Sequence, residues 1–322
     1  MPGLSCRLRW EPLSRTKTAS IARIALYSRE IVEQPGSSLS TPRAGKWWCG
    51  GLCLVLPEVS LASAPARSNG IVQKFLGEEL TYQIGFWLFN RCGEAKTTFV
   101  QTEYQGVYRA TLAGRTLGFV DVVLGRYRYS YASYLELSPK GDRLRPLRFT
   151  LTKKRIGKES KYSVTFNYSK KQLIFSRVTH NQESHSHQET QPMKEGLIYE
   201  DYLTLFYNFR YGCYGPIQRG RTYHLPLHVH KGMSSIDLSI ASREEEEKHR
   251  KEETNKKGKD FFLRFRVNRE DVSSNSGDIE GWLSSDATPV KGTIKDVILF
   301  GDLWGELIAR KAGAHRKIGR KI

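Results

Sequence analysis

The residues that most suggest chemistry are three histidines, His224, His228 and His230. On an extended strand, alternate side chains share a face, so these three would project together, with His228 and His230 roughly 6–7 Å apart at Cα. That spacing suits two ligands of a zinc or copper ion, with a third from the stretch containing His185 and His187. The competing expectation is a wet strand face, where any polar residue serves. The chain has no G-x-S-x-G elbow, Cys–His signature, P-loop or G-x-G-x-x-G fingerprint. Asp201, Asp286, Asp296 and Asp302 are scattered; Asp201 reads as a helix cap and Asp286 as part of a turn. The balance is against an enzyme, and no cofactor is indicated. A metal-dependent or carboxylate hydrolase is the third reading, behind two binding roles.

Charge suggests binding. The 322 residues carry a formal net charge of +18, which fits an anionic partner. The basic clusters Arg143, Arg145; Lys153, Lys154, Arg155, Lys158; and Lys170, Lys171 fall in or beside successive turns of a strand-rich stretch. If those turns gather at one end, the clusters merge into a basic rim beside Tyr127, Tyr129 and Tyr134. Such a surface suits anionic lipid or glycolipid head groups. It would also suit nucleic acid, which export from the cytoplasm removes from consideration. The alternative is a set of turns kept soluble by charge.

The element around which such residues must be arranged is YEDYLTLFYNFRYGCYGP, 199–216. Asp201 is placed to cap a helix, and Gly212 to stop it. Leu203, Phe206, Tyr207 and then Arg210 form one row; Tyr202, Leu205 and Phe209 form another. Only Asp201, Thr204 and Asn208 make a polar stripe. A helix this apolar must be buried on more than one side. Arg210 then needs a buried carboxylate, expected from the last strands.

Most of the rest alternates with period two. Residues 80–88, 131–137, 147–152, 162–168, 222–230, 236–240 and 261–267 read as strands with short turns between them. Gly93 reads as a turn, 117–124 as helix or strand, and 180–195 as a polar loop. The charge-dense stretch 243–259 reads as a mobile loop or short exposed helix. The expected fold class is all-β with one central helix, a curved antiparallel sheet or barrel-like meander.

The front of the chain carries an address. Arg43 and Lys46, the apolar run 47–56 and the small-residue sites at 62–66 have the form of a secretory signal cleaved after Ala66. This divides the chain into an over-extended, disordered start (1–45), a signal peptide (46–66), an exported β domain (70–307, with the insertion 243–259) and a basic disordered tail (308–322). Cleavage would leave Cys92 and Cys213, either bridged in an oxidising compartment or present as buried thiols.

Three segments together carry a family resemblance. They are GEELTYQIGFW with GEA (77–87, 93–95), EDYLTLFYNFR with its Gly-containing turn (200–210), and GWLSSDATPVKGTI (281–294). In this order, over roughly 73–307, the chain resembles the bacterial exported proteins grouped as domain of unknown function 3108. Trp282, Ser285, Asp286 and Pro289 are spaced one residue more loosely than in the family pattern. The resemblance implies a periplasmic or envelope location and a mostly antiparallel β fold, and no activity. The leading functional expectation is a non-enzymatic envelope protein that binds an amphipathic or anionic component such as a lipid. The second is an assembly factor that docks another envelope protein.

Overall fold

The computed structural model describes residues 70–87, 89–180, 184–253, 258–298 and 300–313. The proposed start, the signal segment 46–66 and the end of the tail lie outside them. Among the described residues, fourteen antiparallel strands form one open sheet. In chain order the elements are α1 (Gly70–Phe75), β1 (Glu79–Phe86), β2 (Phe89–Gln101), β3 (Val107–Thr116), α2 (Gly118–Val123), β4 (Arg128–Leu137), β5 (Leu144–Arg155), β6 (Lys158–Asn167), β7 (Gln172–His180) and β8 (Ser184–Pro192). Then come α3 (Tyr202–Tyr211), β9 (Thr222–Pro226), β10 (Ser235–Ile240), α4 (Arg243–Glu252), β11 (Phe261–Arg266), α5 (Arg269–Val272), β12 (Asp278–Leu283), β13 (Pro289–Val297) and β14 (Gly301–Lys311). The spatial order is β8-β7-β6-β5-β4-β3-β2-β1-β14-β13-β12-β11-β10-β9. Two meanders are thus joined where β14 pairs with β1. Register shifts in the β1–β2, β1–β14, β4–β5, β12–β13 and β13–β14 pairs add local twist and bend the sheet.

The bend brings both arms onto α3. Leu205 and Phe209 pack between Phe149, Val164 and Leu173 of one arm and Leu225, Leu238 and Leu263 of the other. Leu203 and Tyr207 pack against α1 and against Phe99, Ala110, Leu135 and Leu144. The two apolar rows of the helix therefore face two different cores, as a helix greasy around most of its girth requires. Phe206 is only partly buried. The arms also touch directly: the Tyr162 hydroxyl of β6 donates to the Val229 carbonyl at 2.6 Å, and Lys231 pairs with Glu189 of β8.

Several expectations need correction. Gly93 is inside β2, not in a turn. Part of the stretch read as a polar loop, Ser184–Pro192, is the edge strand β8; its sequence SHSHQETQP has no apolar face to reveal it. The tail is strand as far as Lys311, paired with Glu79 of β1. For the charge-dense stretch the second of the two readings holds: it opens as a short, mostly exposed helix, α4, started by a Ser242–Glu245 capping box. α4 lies on the outer face through a buried Glu246, His249 stacked 4.0 Å from Phe262, and Arg250 4.8 Å from the Trp282 ring. Charged residues there do the packing that apolar periodicity normally announces.

Candidate functional site

Strand direction divides the molecule into two ends. One end holds α1 and the turns entering β5 and β7; the other holds the β1–β2, β3–β4 and β5–β6 turns. The first end is plugged by α3. Leu203 and Thr204 donate backbone N–H groups to Asp201 Oδ1 at 2.8 and 2.9 Å, and the Ser133 hydroxyl of β4 donates to Oδ2. Gly212, at φ 95°, supplies the left-handed cap. Asn208 pairs with both backbone groups of Leu144, accepting from its N–H at 2.9 Å and donating to its carbonyl at 2.8 Å. It also donates to Glu200 Oε1 at 2.7 Å. Burial pushes the Glu200 carboxyl up to about 7, although Tyr214, Asn208 and Arg143 pull it down. Burial likewise pushes Asp201 up to about 6, against the hydrogen bonds from Ser133 and the helix amides.

Arg210 is fully enclosed and bidentate with Glu78, at 2.6 and 2.9 Å. Its remaining donors reach the Ala287 carbonyl and the Thr288 hydroxyl. The carboxylate thus comes from the lead-in to the first strand, not from the last strands; those supply only neutral acceptors.

Above Tyr202 the inner face changes character. A continuous cross-strand row runs Leu263, Gly281, Gly292, Gly305, Ile84, Gly93 through β11, β12, β13, β14, β1 and β2. Four of its six members have no side chain. A Cβ placed on Gly292 would meet nothing nearer than the Glu280 carbonyl oxygen at 3.9 Å. Around the row, Ile84, Leu112, Ile294 and Leu303 are only half-buried. Tyr127, just before β4, and the inward Tyr129 and Tyr131 on it form a ladder with ring centroids 6.4 and 6.1 Å apart. The Tyr129 ring occupies the space a side chain on Gly114 would need. Burial pushes the Tyr127 and Tyr129 phenols up to about 12, so both remain neutral donors. Lys153 pairs with Tyr129 across the β4–β5 ladder and shares its face; Arg155 continues that face toward the open end. Desolvation lowers the Lys153 pKa, and Asp271 and Glu270 partly restore it.

One side of this open half is closed by α5. Asp271 accepts from the Tyr202 hydroxyl and lies 2.8 and 2.9 Å from His230 Nε2, while His230 stacks on Tyr162 at 5.3 Å. Among the described contacts no hydroxyl or thiol nucleophile is hydrogen-bonded to His230. The group fastens the β11–β12 turn to the start of α3.

The structure does not bring the three histidines together. β9 ends at Pro226, so only His224 is on the strand, exposed and paired with Asp237 at 2.6 Å. His228 is buried against Tyr199, and burial lowers its pKa. His230 belongs to Asp271. His187 is exposed on β8, and the side chain of His185 lies outside the description. No group of three or more potential metal ligands exists among the described residues.

The basic clusters also separate. Arg143, Arg145, Lys170 and Lys171 lie at the plugged end, and Lys153, Lys154, Arg155 and Lys158 at the open end. Consecutive turns of an antiparallel meander alternate ends, so clusters in consecutive turns cannot form one rim. At the plugged end, Arg143 approaches the buried Glu200 (3.7 Å), Arg145 pairs with Glu136, and Lys171 with Glu195.

Cys92 and Cys213 are both free thiols. Cys92 packs at the open end with Phe86 and Val120, whereas Cys213 follows α3 at the plugged end, so the fold separates them. The glycine row was visible in the sequence only as dispersed glycines; strand register alone aligns them.

Among the described residues no helix is long and apolar enough to cross a membrane. The comparison with curated proteins returns no match. Among solved structures, one similar chain is a Bacteroides fragilis protein described as a "putative exported protein with YmcC-like fold". It is 9% identical, the match covers 74% of this chain and 98% of that one, and the TM-score is 0.24. The family model described as protein of unknown function (DUF3108) matches residues 81–306, from β1 to β14. With that match spanning the whole sheet, the chain belongs to the DUF3108 family.

Proposed function

We propose that this is an exported envelope protein that holds an amphipathic molecule with an anionic head against the open inner face of its sheet. The reading is carried by the side-chain-free positions Gly292 and Gly305, half-buried beside the buried Gly281 and bordered by half-buried Ile84, Ile294 and Leu303. Half-buried apolar surface of this kind gains from being covered, at about 25 cal/mol per Å². An acyl or isoprenoid chain would lie over Gly292, with the Ile84 side chain, 3.0 Å from the Cβ position of Gly305, as its apolar wall. An anionic head would lie toward Lys153 and Arg155 on the same face, with the Tyr127 and Tyr129 hydroxyls as further donors. The signal-like segment 46–66 supports placing this activity outside the cytoplasm.

Native mass spectrometry after gentle purification tests for a retained lipid-like mass. Titration with an anthroyloxy-labelled phosphatidylglycerol tests the site itself. Gly292→Leu puts a side chain into open space, so the fold is expected to survive with an unchanged melting temperature. Probe affinity should then fall about tenfold, the equivalent of filling an already occupied volume. Failure of the unaltered protein to bind the probe, or equal binding by the variant, would remove this reading.

A further inference from the structure

At the open end, three neighbouring turns expose apolar side chains that the fold does not use. Trp87 at the β1–β2 tip is 77% exposed, and Phe89 beside it is 45% exposed. α2 buries Val120 and turns its other apolar side outward, leaving Phe119 and Val122 each 74% exposed and Val123 64%. Ile156 at the β5–β6 tip is 69% exposed. The turns adjoin one another: the Ile156 N–H donates to the Gly125 carbonyl behind α2 at 2.8 Å. Trp87 also has φ 43°, a left-handed conformation unfavourable for a bulky residue. Folding stability alone would select neither a tryptophan there nor its exposure.

Basic residues surround these tips. Arg91, Arg115, Arg126, Lys154, Arg155 and Lys158 flank the three turns. Of the carboxylates near these turns, Glu94, Asp121 and Glu159 are engaged by Arg115, Arg128 and Lys154, and on the adjoining β13–β14 turn Asp302 is engaged by Lys295, leaving Asp296 exposed. Arg126, Arg155 and Lys158 form no ion pair among the described residues, and they outnumber the exposed Asp296, so the net field of the patch is positive.

We propose that this end docks onto an anionic bilayer surface, with Trp87, Phe89 and the outer side of α2 entering the interfacial layer and the flanking arginines and lysines meeting lipid phosphates. Charge complementarity selects the occupant. Protruding aromatic tips inside a basic surround match the two components of interfacial binding, apolar insertion and attraction to anionic head groups. The patch is built from the tips of separate turns. Its position at the mouth of the glycine-lined inner face would let a lipid pass between bilayer and protein. Docking nevertheless does not depend on the interior binding anything, and the two are measured separately.

The test is co-flotation of the full chain with vesicles of phosphatidylglycerol and phosphatidylethanolamine, compared with phosphatidylcholine vesicles. The protein should float with the anionic vesicles only, and raising salt from about 0.1 to 0.5 M should weaken binding several-fold as the Debye length shortens. The variant Trp87→Ser/Phe119→Ser should lose about tenfold in vesicle affinity, with the melting temperature retained because both side chains are exposed. Probe uptake by Gly292→Leu distinguishes a failed interior from a failed rim. The proposal is overturned if the unaltered chain stays with the soluble fraction or if the variant floats equally well. It is equally overturned if the variant instead dissolves a dimer, which would assign the patch to a second copy of the chain.

Discussion

Arg210→Met is expected to lower the free energy of unfolding by about 3–5 kcal/mol, the usual loss when one member of a buried ion pair is removed. Both side chains of the Arg210–Glu78 pair are only 2% exposed. Removing the guanidinium leaves the Glu78 carboxylate enclosed, with Arg310 at 3.6 Å as its remaining cation. It also strips the Ala287 carbonyl of its donor and takes the guanidinium off the Phe75 and Phe206 rings, 4.8 and 4.9 Å away. The double variant Glu78→Gln/Arg210→Met should be less damaged than the two single changes added together, by about 2 kcal/mol or more. Most of each single loss is the penalty of a stranded charge rather than the net value of the pair. Urea denaturation of the four proteins at pH 7 measures this cycle. Additive losses, or a single loss below about 1 kcal/mol, would show that Arg210 is not the clamp described above. The clamp ties the end of α3 to the entry of β1 and the β12–β13 turn, so it holds the plug beneath the open inner face.

The second large effect concerns pH. Glu200 is held near 7 in the folded protein by burial, against an ordinary value of 4.5. Between those values the native state binds a proton that the unfolded state has released. Unfolding free energy therefore falls as pH rises from about 4.5 to about 7, by up to about 3 kcal/mol, and is level above that. Glu200→Gln keeps an acceptor for Asn208 and cannot ionise. Its stability relative to the unaltered protein should increase across this window and be greatest at pH 8. Other groups respond in both proteins: Asp201, pushed up to about 6, also loses stability as pH rises, and His228, whose pKa is lowered, acts in the opposite sense. Taking the difference between the two denaturation profiles isolates Glu200, apart from its coupling to the adjacent Asp201. Parallel profiles from pH 4.5 to 8 would show that Glu200 is ionised normally in the fold.

Much of the architecture is legible without coordinates because its signals are local. Asp201 and Gly212 mark the ends of α3 by capping chemistry, and its two apolar rows predict the two cores that receive them. The alternating strands β4, β5 and β6 read directly, since one face of each is wet. β8 escaped, and α4 was legible only as one of two alternatives, for the same physical reason: neither buries an apolar face of its own. β8 is held by backbone pairing with β7, and α4 by Glu246, His249 and Arg250.

The sequence by itself determined a capped, nearly all-apolar helix and a set of alternating strands with short antiparallel connections, because capping and side-chain periodicity act within a few residues. Only the tertiary structure decided which distant groups meet. It paired Arg210 with Glu78, dispersed the three histidines and the two thiols, sent the basic clusters to opposite ends, and aligned the half-buried Gly292 and Gly305 beside the buried Gly281. The reason is that register and sheet curvature are set by long-range packing on α3, and a contact between residues far apart in sequence leaves no periodic trace in either of them.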